Sequence, residues 1–72
     1  NNFRSFCSRI HTNATYAEVM ALVKDHQLLI ELDSDKAQSS DEPVFVVKPW
    51  RHWPEQFGCH IYFKFQRVVR RI

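Results

Sequence analysis

At 72 residues, 44% of them hydrophobic and 25% charged, the chain has the balance of one globular domain. That length excludes a division into two cores, and that balance excludes a disordered tract. The net charge of +2 falls below the strongly basic footprint of a dedicated nucleic-acid binder. No stretch approaches the ~18 apolar residues of a membrane span, and no signal-peptide pattern opens the chain. A core of this size supplies only ~3–5 kcal/mol net, so a staple or a partner surface would help it. The start at Asn1-Asn2 without a methionine and the basic, strand-like end read as one domain, 1–72, cut from a longer chain. A soluble intracellular protein is the default reading.

In chain order, residues 3–10 (Phe-Arg-Ser-Phe-Cys-Ser-Arg-Ile) read as a strand, with Phe6 and Ile10 on one side and Phe3 and Cys7 on the other. Thr15-Tyr-Ala-Glu18 then has the form of a capping box opening a helix. Tyr16, Val19, Met20 and Val23 recur behind it at helical spacing. Gln27 would fall inside that apolar stripe, which predicts an end near Asp25 to Gln27. Leu28, Ile30 and Leu32 alternate with Leu29, Glu31 and Asp33 as a strand. Ser34 to Pro43 is a polar, acidic connection and predicts a solvated loop. Val44 to Lys48, between two prolines, is a strand. After a Trp-rich loop, Pro49 to Gly58, the run Cys59 to Val69 alternates as the last strand. It places Ile61, Phe63 and Phe65 on one face and His60, Tyr62, Lys64 and Gln66 on the other. Gly58 is read as the residue free to take a positive φ at re-entry.

The predicted fold class is α+β: one helix packed on a three- or four-stranded, mainly antiparallel sheet, in the order β-α-β-β-β. A winged-helix arrangement is the rival, disfavoured because a single helix stands out.

Charge divides along the chain. From Ala17 to Glu42 seven acidic residues face Lys24 and Lys36, whereas beyond Pro43 six basic residues face Glu55 alone. Such a dipole steers either an acidic partner or nucleic acid, and equally it forms a solvated surface whose halves offset each other. The segment Trp50-Arg51-His52-Trp53 is the strongest local anomaly, because Trp and Arg are enriched where binding energy concentrates. Its structural counterpart is an indole folded back as a lid over the core. Tyr62 and Lys64 on the last strand would support a Trp/Arg contact with a partner protein, a peptide or a second copy. An exposed edge strand could add main-chain pairing. The alternative is a nucleic-acid binder with Arg51, Lys64, Arg67, Arg70 and Arg71 on phosphates and an aromatic on bases.

Catalytic and cofactor signatures are lacking: the chain has no glycine-rich phosphate loop, no Gly-x-Ser-x-Gly and no small-molecule substrate motif. Cys7 with His11, and Cys59 with His60, do not make the paired spacing of structural zinc. The two cysteines are read as half-buried thiols, able to pair only if the fold brings their Cα atoms within ~7 Å. Asn13-Ala14-Thr15 fits the acceptor pattern for N-glycosylation, although helix capping already accounts for Thr15. The reading is therefore a non-enzymatic interaction module with no cofactor and no metal.

Overall fold

A computed structural model describes residues 2–33 and 43–72, apart from the side chains of Asn2 and Arg4. The predicted loop between Ser34 and Glu42 lies outside the described residues. The fold is α+β, with helices against one face of a four-stranded antiparallel sheet, as the class reading anticipates. The strands are β1 (Leu29–Leu32), β2 (Val44–Lys48), β3 (Cys59–Lys64) and β4 (Arg67–Arg71), arranged spatially in sequence order. Each pairs antiparallel with the next, so the sheet is a meander.

The first element differs from its sequence reading. Residues Asn2–Ser8 form helix α1 rather than a strand. Phe3, Phe6, Cys7 and Ile10 stand at i, i+3, i+4 and i+7, the template of a helix stripe. A strand would divide these residues between two faces, whereas the helical turn gathers them on one. Phe6 and Ile10 are buried, and Phe3 and Cys7 pack at the margin of the same core.

Helix α2 (Tyr16–Asp25) starts where the cap predicts: the Thr15 hydroxyl accepts from the Glu18 amide at 3.1 Å. The same hydroxyl donates to Glu18 Oε1 at 3.2 Å. The helix ends on His26, and Gln27 turns left-handed (φ 55°) while the Leu28 amide donates back to Val23 O. This is the usual way of satisfying terminal carbonyls. Val19 and Val23 meet Val47, Ile61, Phe63 and Val68 of the sheet, together with Phe6 and Ile10.

The predicted last strand is in fact a hairpin. The chain turns at Phe65-Gln66, both with positive φ (53° and 63°), and returns as β4. Two-residue hairpins of this handedness favour Asn-Gly or Asp-Gly, so Phe-Gln carries no turn signal. Phe65, put on one face with Ile61 and Phe63 by alternation, is instead 89% exposed at the tip, whereas those two are buried. β3 and β4 continue the sheet and form no separate wing.

The outer edge of β4 is occupied at its start. The connector between the helices runs along it, with Asn13 N donating to Val68 O and Val68 N to Ala14 O. Arg67 Nη1 donates to Asn13 O at 2.9 Å and Arg71 Nε to Ile10 O at 2.8 Å. Two arginines of the basic C-terminal run thus tie the helical layer to the sheet.

Cys7 and Cys59 form a disulfide, with Cα atoms 6.0 Å apart, which corrects the reading of two separate thiols. Once residues 3–10 are helical, Cys7 faces the start of β3. The bond closes a separation of 52 residues, worth about 4 kcal/mol in the chain-entropy account.

Candidate interaction surface

The surface is built at the end of the sheet where β2 passes into β3. Lys48, the last residue of β2, is buried, ion-paired with Glu31 at 3.1 Å, and its Nζ donates to Arg51 O at 3.0 Å. A buried ammonium holding a loop carbonyl fixes the loop, so Lys48 belongs to the scaffold and not to a basic outer face. On that same sheet face His60 is buried beside Asp33, Nε2 to Oδ2 at 3.5 Å. His60 therefore does not share the exposure of its strand neighbours.

Two short turns shape the loop. Trp53 N donates to Trp50 O, and a 3-10 turn at Glu55–Phe57 is closed by Gly58 N to Glu55 O. Gly58 has φ −78°, not the positive value anticipated for it. Space explains it instead: a Cβ here would lie 2.5 Å from Val46 Cγ2 and 3.0 Å from Val47 O. The missing side chain lets the loop pack directly on β2.

The loop presents its indoles unequally. Trp50 is 58% exposed, whereas Trp53 is half-buried. Their rings meet edge to face at 4.9 Å, and Trp53 meets Phe3 of α1 edge to face at 5.7 Å. One indole is displayed to solvent and the other folds back toward α1. Phe57 and Ile72 are 63% and 64% exposed. They share an open cleft of about 290 Å³ with Phe3, Arg71 and the disulfide. Ile72 is pinned by reciprocal main-chain bonds with His60 at 2.9 Å. The outcome is an apolar surface running Trp50–Trp53–Phe3–Phe57–Ile72, floored by Cys7–Cys59, with Arg51 and His52 exposed on the same loop as the indoles. The indole N–H of Trp53 is buried with no acceptor among the described residues.

Of the residues read from the sequence, Trp50, Arg51, His52 and Trp53 come together here, and Tyr62 and Lys64 do not. The latter lie three and five residues along β3 from Cys59, roughly 10 and 17 Å away at the rise of a strand. Tyr62 is half-buried under the Arg70 guanidinium, 4.3 Å from its ring centroid, so the stacking face of that ring is already covered. Lys64 Nζ lies 5.9 Å from the centroid of Phe65. Sequence reasoning missed Phe3, Phe57 and Ile72. The helical spacing of residues 3–10 would have brought Phe3 into play, whereas Ile72 reaches the surface only through the hairpin.

A second cleft, of about 500 Å³, opens at the opposite end between the start of α2 and the β3–β4 hairpin. Tyr16, Phe45 and Phe63 line it and close on one another, with centroids 5.4–5.7 Å apart. Among the described residues no group of three His, Cys, Asp or Glu side chains is placed to hold a metal, and no helix is long and apolar enough to cross a membrane. Comparison of the chain with protein-family models, with curated proteins and with solved structures finds no match.

Proposed function

We propose that this domain is a non-enzymatic interaction module that binds a partner protein or peptide through the tryptophan end of its sheet. The observation that carries the reading is Trp50, more than half exposed on a loop that Lys48, two turns and a close-packed Gly58 hold in place. A large ring displayed on a rigid support loses little entropy on binding, which suits an anchor. Phe57 and Ile72 widen the apolar area, and Arg51 and His52 supply a polar rim. Trp53 serves the site from below, its ring meeting Trp50 on one side and Phe3 on the other. A second copy of the chain is one form the partner could take. Main-chain pairing would have to avoid Val68, whose N–H and C=O already bond the connector.

A disulfide between core-facing positions suits an oxidising compartment better than the intracellular default. Nucleic-acid binding stays as the second reading, supported by exposed Lys64, Arg67 and Arg70 on the hairpin. It differs in its salt response, because neutralised phosphates release counterions.

The test is Trp50→Ala. Binding to an isolated partner, or self-association measured by sedimentation, should weaken by about 2 kcal/mol, near 30-fold. Far-UV circular dichroism and Tm should be unchanged. Undiminished binding removes the proposal, and retention on oligonucleotides that fades steeply with salt would move the function to the hairpin.

A further inference from the structure

We propose that Asn13 is a site of N-linked glycosylation. The triplet Asn13-Ala14-Thr15 has the acceptor form, with no proline in the middle position. Taken alone that match is weak, and three structural observations give it weight. First, Asn13 lies in the exposed turn between the helices. Its backbone N–H and C=O are both engaged, by Val68 O and by Arg67 Nη1. Its side-chain amide makes no hydrogen bond among the described residues, and it stands on the outer surface while Ala14 packs inward. Second, Asn13 has φ 77°, a conformation that glycine adopts at lower cost. Asparagine fills the same backbone role and adds the one amide nitrogen to which a glycan is attached. Third, Cys7–Cys59 is a structural disulfide, and disulfides form in the secretory lumen where glycan transfer also occurs.

The chemistry needs a glycosyl donor, an oligosaccharide linked to a polyprenyl diphosphate. Asn13 Nδ2 forms a bond to the anomeric carbon as the bond from that carbon to the diphosphate oxygen breaks. The diphosphate leaves with the electron pair, the amide gives up one proton, and nothing is oxidised or reduced. The glycan would then project from the connector that covers the start of β4, beside Arg67 and Val68. The tryptophan surface begins beyond the other end of that strand, at Ile72, roughly 15 Å away at the rise of a strand. The modification thus leaves the proposed contact area open and encloses the β4 edge.

The experiment is cell-free translation of the chain behind a cleavable secretory signal, with microsomes present. The readout is electrophoretic mobility before and after peptide-N-glycosidase. Transfer acts on the emerging chain, so the readout does not depend on the stability of each variant. The wild type should shift by one oligosaccharide, and the enzyme should reverse the shift. Asn13→Gly, which keeps the turn, should abolish it; Thr15→Ser, which keeps the acceptor hydroxyl, should retain it. A translocated wild-type chain without the shift overturns the proposal, and so does a shift that persists in Asn13→Gly.

Discussion

The two ends of the sheet are both rich in aromatic rings and use them in opposite ways. At the hairpin end Tyr16, Phe45 and Phe63 close into a triad, with Phe63 wholly inside and the others at its margin. Each ring satisfies its neighbours, and the cluster joins α2 to the sheet. At the tryptophan end Trp53 alone turns inward, and Trp50, Phe57 and Ile72 face solvent. Little of the core's own packing holds that end. It is fastened by the disulfide, by the Lys48 ammonium and by the close approach of Gly58 to Val46. Aromatic content therefore does not by itself mark a contact site. What distinguishes the two ends is how many of the rings find partners within the molecule, Phe65 being displayed at the hairpin tip, and what else keeps them still.

Removing the disulfide should break this contrast most severely. Cys7→Ala with Cys59→Ala should lower stability by about 4 kcal/mol, close to the whole margin of a domain this small. Thermal melts followed by circular dichroism read that loss, and a change under 1 kcal/mol would show α1 to be held by packing alone. Gly58→Ala comes next, at about 1–3 kcal/mol, because the new methyl meets both Val46 and the Val47 carbonyl. A neutral melt would mean that the loop is free to lift off β2. The two tryptophans should then separate. Trp53→Ala is expected to cost about 1–2 kcal/mol through lost contact with Phe3. Trp50→Ala should stay within about 0.5 kcal/mol of wild type, as for an exposed residue. Equal losses from both would erase the distinction between support and anchor.

The sequence shows the class of the fold and the start of α2, because a cap, a 3.6-residue stripe and two alternating runs each use local chemistry. It misleads where a local pattern fits two periods. Phe3, Phe6, Cys7 and Ile10 can be divided between the faces of a strand or gathered on a helix, and only packing against Val19 and Ile61 decides. The hairpin at Phe65-Gln66 is hidden because neither residue advertises a left-handed turn. That error groups Phe65 with Ile61 and Phe63, and it also removes the strand that brings Ile72 to the surface. The disulfide follows from the same cause, since a strand at 3–10 gives no reason for Cys7 to face Cys59. The Trp-Arg-His-Trp segment is readable as unusual, but which indole is displayed depends on Phe3, 50 residues away in sequence.

The display of Trp50 on a fixed loop is the claim on which the functional reading rests. Acrylamide quenching of two single-tryptophan variants, Trp53→Phe and Trp50→Phe, addresses it directly. With Trp50 alone present, emission should be red-shifted and readily quenched, while its anisotropy stays close to that of the whole domain. With Trp53 alone present, emission should be bluer and the quenching constant clearly smaller. Blue, protected emission from Trp50 would seal both indoles inside the fold and contradict the account.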